Sequence, residues 1–412
     1  MSEEASATEK LYPATLFVFS LALAYFATAT LDVMPNLLLM DIAATFQVTL
    51  GAASQVRTFT SIATFVSALL TGVLSVRFKN KSLLLAGVIF MLIASVGCFF
   101  APALSWLQFC YALNGIGSAM VLPMAIALIG DFLPLEKRAK AVGYIVANSA
   151  LSFFVAIPAT GFLADFGGWR LIPLLFAVPV SVVALLFAFF FIPSTPSLHK
   201  LQVTFTTAAY LRSFKQVLLN KSAFACLIGN ILRTATWITP LLFALTFYRQ
   251  RFAIPLDGVT AIMMVGTLIF TSGAIIAGRI ANRIGRKILT VTTSFLSGVF
   301  VACIFLMPNF GLALPLDYSG MFLAGMAFSA ATSLTLEQVP TSRGTMMSLN
   351  TAVAAIGSAL AAALGGAVLD LFSYEILGPT LGATGIIAAA FYFLAKDPSR
   401  TPVAGHQATY SG

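Results

Sequence analysis

The chain has 412 residues, of which 59% are hydrophobic and only 9% charged. A water-soluble domain carries roughly 25% charged residues, so there is too little charge here to cover a wetted surface, and the surrounding solvent must be largely lipid. The net charge of +9 would suit nucleic acid in a soluble protein, but the basic residues fall in short clusters between apolar runs and read as topology signals, which argues against a nucleic-acid partner.

The chain opens on an acidic, polar stretch without a basic n-region. No cleaved signal peptide is expected, and the first apolar run serves as the insertion signal. Twelve runs near the length needed to cross a bilayer follow. In the first half they cover residues 13–40, 50–76, 82–101, 106–129, 141–163 and 171–192. In the second half they cover 222–247, 259–277, 288–307, 319–336, 346–369 and 377–394. Runs this long are helices, the form that satisfies every backbone group inside lipid.

Division at the longest polar connection gives an N-terminal six-helix bundle (1–192), a linker (193–221) and a C-terminal six-helix bundle (222–412). Tyr210 to Leu219 within the linker is basic and amphipathic, and suits either the membrane surface or a plain connection. Arg77, Lys79, Lys81, Lys137, Arg138 and Lys140 fall on one side of the membrane if there are twelve spans. Arg279, Arg283, Arg286, Lys287 and Arg343 join them there, while the opposite side holds Arg170, Arg249 and Arg251. The positive-inside rule then puts both termini in the cytoplasm of a cell whose inner membrane holds the chain.

Four landmarks recur at one offset. Gly72 to Lys81 resembles Gly278 to Lys287 at 206 residues, and Asp131-x-x-Pro134 precedes Glu337-x-x-Pro340 by the same 206. Pro35 and Pro240 are 205 apart, as are Gly161 and Gly366. The halves are therefore repeats in the same orientation, an arrangement that puts a substrate site between them near the bilayer midplane.

Gly278 to Lys287 resembles the loop signature between helices two and three of the major facilitator superfamily, with Asn282 in the acid's place. In the first copy Val76 replaces the acid and Lys79 the second glycine. Asn114-Gly-Ile-Gly117 resembles the family's helix-four motif, with Tyr111 in place of an arginine linked with proton coupling. Ile157-Pro158-x-x-Gly161 is a partial version of the helix-five motif of drug antiporters, and Asp165 to Arg170 resembles an outer turn of efflux members. The resemblance covers nearly the whole chain. It implies an all-α membrane protein of twelve transmembrane helices in two pseudo-symmetric six-helix bundles, with helices one, four, seven and ten lining a central cavity. The nearest pattern is the twelve-helix drug and metabolite efflux group.

Charge inside a membrane is costly and asks for a reason. Asp32 and Arg57 lie at similar depth on successive spans, about 10 Å in at 1.5 Å per residue, and suit a salt bridge. The pair either fixes the two helices together or lets Asp32 take up a proton or meet a cationic substrate beside Arg57; a hydrated Asp32 is the third reading. Arg233 lies near mid-membrane on the seventh span with no acid at its depth, Asp317 and Asp370 being near span ends. It suits a carboxylate or phosphate ligand, or pairing with Asp32 or with carbonyls freed near Pro240.

Tyr111, Asn114, Asn148, Asn230, Trp237 and Asn350 suggest a mixed, moderately polar cavity, although each alone suits helix packing. Met263, Met264, Met346 and Met347 suit an adaptable lining or a lipid face. Asp131 and Glu337 are expected in inner-gate ion pairs with Arg77, Arg283, Arg138 or Arg343, or else as solvated helix-end charges.

No P-loop, metal-ligand spacing or nucleophile elbow occurs, so neither an ATP motor, a cofactor nor an enzyme is expected. The four cysteines sit in apolar runs and read as small buried hydrophobes. The expected function is secondary active transport of a small molecule by alternating access, as proton-coupled efflux of a drug-like compound or metabolite. The alternative is an uptake symporter or uniporter for an organic anion or sugar, anchored by Arg233. One chain holds both halves of a complete site, so a monomer in the bilayer is expected.

Overall fold

A computed structural model describes residues 14–193, 214–339 and 343–397. Twelve principal helices form the bundle. The first six are α1 (Ala14–Asp32), α2 (Leu50–Arg77), α3 (Asn80–Phe99), α4 (Leu104–Phe132), α5 (Leu135–Gly167) and α6 (Val178–Phe191). The second six are α7 (Lys221–Thr239), α8 (Leu256–Ile284), α9 (Arg286–Ile304), α10 (Phe310–Leu336), α11 (Arg343–Leu371) and α12 (Tyr374–Leu394). Among the described residues, eleven segments are long and apolar enough to cross a membrane. The remaining helix, α5, has a shorter apolar stretch, Leu151–Gly167, about 26 Å long at the α-helical rise.

Proline sets where helices break. α1 bends after Asp32 and continues as two short helices, Met34–Leu37 and Leu39–Phe46, the first with Pro35 in its opening turn. α7 passes at Pro240 into a π turn, Pro240–Ala244, and resumes as Leu245–Phe252. These are the two repeat-related prolines, so each half opens with an interrupted helix, as the missing N–H of proline favours.

The packing repeats as well. In the first half α2 packs on α4, α3 on α4 and α6, and α1 on α5 and α6. In the second half α8 packs on α10, α9 on α10 and α12, and α7 on α11 and α12. The halves meet through α2 on α11 and α5 on α8, two contacts exchanged by the same symmetry. Gly366 and Gly161, repeat mates, sit at these two crossings. A Cβ on Gly366 would lie 2.9 Å from the Gly51 carbonyl oxygen, and one on Gly161 would lie 2.6 Å from Thr260 Oγ1. Only glycine permits approach this close.

The expected span of 319–336 corrects to a helix beginning at Phe310. Asn309 caps it, its side chain accepting from the Leu312 amide at 3.0 Å, and Pro315 lies inside the helix. Most of the linker, with both chain ends, lies outside the described residues, so the amphipathic stretch from Tyr210 is described only from residue 214. Residues 214–219 are helical, and Val217 packs against Ala223, Leu227 and Met346.

Candidate functional site

Both ends of the described chain lie at one end of the bundle, and the opposite, far end is where the halves are tied together. Among the described residues, four polar links join the halves, and all use far-end residues of α1's continuation or the first turns of α2. Arg249 grips Asp41 with two bonds, 2.5 Å from Nη1 to Oδ2 and 3.2 Å from Nη2 to Oδ1. The Gly51 amide donates to Asp370 Oδ1 at 3.1 Å, Ser54 Oγ to the Ala362 carbonyl at 3.1 Å, and Arg57 Nε to Ser358 Oγ at 3.0 Å. The largest apolar cluster also straddles the halves there, with Leu37 and Leu38 beside Phe243, Phe247 and Tyr248.

Beneath this closure lies a cavity of about 290 Å³. The first half gives it Tyr25, Asn36, Arg57 and Phe153; the rest of the wall comes from α7, α8 and α10. Trp237, Phe270 and Phe328 form one aromatic side, with Trp237 and Phe270 centroids 5.2 Å apart and Phe270 and Phe328 6.0 Å apart. Met263 and Met321 add flexible apolar surface. The wall is thus more apolar than the sequence suggested.

Asp32 and Arg57 stand together, with Arg57 Nη1 3.8 Å from Asp32 Oδ1. Arg57 bridges Asp32 on its own half and Ser358 on the other. The Asp32 backbone carbonyl accepts from Asn36 Nδ2 at 3.1 Å, which stitches the break after α1.

Arg233 is in different surroundings from those expected. It is buried, and among the described residues neither Asp32 nor a helix-end carbonyl partners it. Its Nη2 donates to Asn230 Oδ1 at 2.6 Å, and its guanidinium lies over the Phe328 ring at 5.5 Å. Asn230 in turn donates to the Asn350 carbonyl and side-chain oxygens, both at 2.9 Å. The group is held among α7, α10 and α11, with Phe328 on the cavity wall and Arg233 off it.

α4 contributes nothing to the cavity wall. Tyr111 is buried and donates to the Leu31 carbonyl at 3.0 Å, while the Asn114 side chain is buried without a hydrogen-bond partner among the described residues. Asn148 ties α5 to α1 through the Ala22 carbonyl at 2.9 Å. Of the six polar and aromatic candidates, only Trp237 lines the cavity. Met264 packs against the far-end cluster, Met346 is buried near the described termini, and Met347 is exposed.

At the terminal end, Glu337 pairs with Arg286 rather than with Arg283. Asp131 Oδ2 accepts from Asn80 Nδ2 at 2.7 Å, and Arg138 Nε donates to the Leu133 carbonyl at 2.9 Å. Asn80 and Arg286 are 206 residues apart, as are Asp131 and Glu337, so both acids are clamped by equivalent residues of their own halves. Arg77 and Arg283 are exposed and, among the described residues, form no ion pair. The Arg343 side chain lies outside what the structure describes.

The residue that sequence reading missed is Asp317. It is buried, lines the cavity, and accepts from Tyr248 Oη at 3.0 Å through Oδ2; its Oδ1 has no partner among the described residues. A span start placed at 319 left it outside the membrane. The repeat offset held the signal, since Asp317 is the mate of Tyr111 at 206 residues. The three cysteines at 98, 110 and 226 are buried and Cys303 is partly so. Among the described residues, no cluster of His, Cys, Asp and Glu is arranged to hold a metal.

The family model for the Major Facilitator Superfamily matches residues 17–343. The chain is 26% identical over 369 residues to the inner membrane transport protein YdhP of Escherichia coli strain K12, covering 89% of this chain and 92% of the relative. It is 22% identical over 300 residues to multidrug resistance protein 2 of Bacillus subtilis strain 168, covering 72% and 74%. The fold is similar to a mutant of the nucleoside transporter NupG, with a TM-score of 0.76 at 14% identity over 92% of this chain and 99% of that one. It is also similar to a bacterial homolog of the human lysosomal transporter Spinster in an inward-facing, unoccupied conformation, with a TM-score of 0.73 at 18% identity over 92% and 96%.

Proposed function

This chain belongs to the Major Facilitator Superfamily and is a multi-pass membrane transporter of a small molecule, and we propose from that premise that it exports a drug-like compound or metabolite in exchange for protons. The observation that carries the reading is the placement of Arg57 on the cavity wall, between Asp32 of one half and Ser358 of the other. A proton arriving on Asp32 cancels the charge that holds Arg57, and the bond to Ser358 is one of the four polar links that keep the far end shut. Protonation at one site thereby biases a two-state element, which is what coupling requires.

The wall chemistry supports an amphipathic cargo over a sugar. A sugar asks for a ring of polar partners, whereas this cavity offers aromatic faces and methionines with a few polar groups at one side. The alternative of an organic anion anchored by Arg233 is disfavoured, since Phe328 stands between that guanidinium and the cavity. The name of the multidrug resistance relative accords with export.

With the termini read as cytoplasmic, the closed far end faces outward and the conformation is the inward-facing one, ready to take cargo from the cytoplasm. The division into bundles of 1–192 and 222–412 joined by a linker belongs to the same reading, as does a monomer working alone in the inner membrane.

Transport in proteoliposomes under an imposed pH gradient tests it. Export of organic cations should follow the gradient in the wild type, and Asp32→Asn should abolish gradient dependence while leaving exchange without a gradient. Transport that ignores the gradient in the wild type refutes the proton-exchange reading.

A further inference from the structure

Two hydrogen-bond acceptors on the cavity wall lack donors among the described residues. Asp317 Oδ1 is one, and Asn36 Oδ1 is the other, its own Nδ2 being committed to the Asp32 carbonyl. Both residues are buried, at 4% and 2% exposure, so leaving either acceptor unpaired is costly. Asp317 has no basic partner among the described residues; its one side-chain hydrogen-bond donor is the Tyr248 hydroxyl. Tyr248 is itself locked, fully buried with Phe310 at 5.6 Å on its ring. The carboxylate is therefore oriented by one oxygen and left unpaired at the other, among the described residues.

An acid held this way beside an aromatic wall lacks both a positive charge and an N–H. We propose that Asp317 is the recognition site for a protonated amine, a cation that still carries an N–H, and that Asn36 supplies a second acceptor on the same wall. The aromatic body of the cargo rests on Trp237 and Phe270, whose rings, 5.2 Å apart and tilted by 31°, present an apolar aromatic surface. A quaternary ammonium carries the same charge and binds aromatic faces as well, but it has no hydrogen to donate and leaves Oδ1 unpaired. The site thus distinguishes amines by their N–H and not by charge alone.

The repeat explains why the second half holds the site. Tyr111, the equivalent residue of the first half, is buried against the Leu31 carbonyl and away from the cavity. Asp317 therefore has no counterpart across the pseudo-twofold axis, and a single amine is bound off-centre, against the C-terminal half.

This inference rests on the cavity being the cargo site, and equilibrium binding separates it from the question of coupling. The purified full chain in detergent is titrated with naphthylmethyl-dimethylamine, protonated at neutral pH, and with its quaternary trimethylammonium counterpart. The wild type should bind the protonated amine about tenfold more tightly, the equivalent of about 1.4 kcal/mol. Asp317→Asn should weaken the amine and bring the ratio of the two affinities close to one. Equal affinities in the wild type overturn the proposal, and so does binding of neither probe or an unchanged ratio in Asp317→Asn. Should that variant fail to fold, the wild-type ratio decides. An amine preference that survives alongside transport indifferent to the pH gradient refutes the proton coupling and upholds the amine site.

Discussion

Breaking the Asp41–Arg249 pair should open the far end. The pair joins α1's continuation to α7's across the two halves, with two hydrogen bonds and side chains 34% and 17% exposed. An exposed ion pair contributes up to about 1 kcal/mol, and a two-bond grip on a partly buried arginine raises that to about 1–2 kcal/mol. Loss of this amount from the closed state alone multiplies the open population by about 5–30. Asp41→Asn removes the charge and keeps the shape, so the change falls on the equilibrium rather than on packing. The readout is a cysteine at Met263, a cavity residue, in a background without native cysteines, labelled in intact cells by a maleimide that cannot cross the membrane. Labelling should rise by about the same 5–30-fold. The charge swap, Asp41→Arg with Arg249→Asp, should return it towards the wild-type level. If Asp41→Asn leaves labelling unchanged, or if the swap labels as heavily as the single variant, the pair is not a latch and the reasoning fails.

Gly366→Leu should prevent closure, because a side chain there meets Gly51 and Ser54 across the crossing of α2 and α11. Overpacking costs about 1–3 kcal/mol, and the expected result is lost transport, normal membrane levels and high labelling at a Met263 cysteine. Arg233→Met should leave the melting temperature in detergent unchanged or raised, since a buried cation without a carboxylate is replaced by a side chain of similar length. Asn230→Ala should lower it, by about 1–3 kcal/mol of stability, because Arg233 then loses the side-chain oxygen that accepts from its Nη2.

Much of this arrangement was legible in the sequence through the repeat. The repeat, at an offset of 205 for these pairs, found Gly161 and Gly366 before their role at the two half-to-half crossings was visible, and Pro35 and Pro240 before either helix was known to break. The depth of Asp32 and Arg57 foretold their pairing because two charges at one level of a membrane have few other partners. Partner choice at the terminal end was not legible. Arg286 and Arg283 lie within one turn of each other, and which of them reaches Glu337 depends on the rotation of α9 after Gly285, whose φ of 92° no hydrophobic run encodes.

The cavity was misread for a related reason. Polar residues on an apolar helix mark a face without saying what that face meets, so Tyr111, Asn114 and Asn148 were indistinguishable from cargo contacts until their surroundings were seen. Asp317 was missed because the span was started at 319, which put the acid near its end; in the structure α10 begins at Phe310, Pro315 lies inside it, and the acid is carried inward. Together these residues show what the duplicated architecture permits. Tyr111 and Asp317 occupy equivalent positions and both meet the interrupted helix that opens their half, through the Leu31 carbonyl in one case and Tyr248 in the other. The tyrosine completes its hydrogen bonding and fixes α4 to α1. The aspartate leaves an oxygen over at a cavity wall, and that surplus acceptor is what makes one half of a near-symmetric molecule able to choose a cargo.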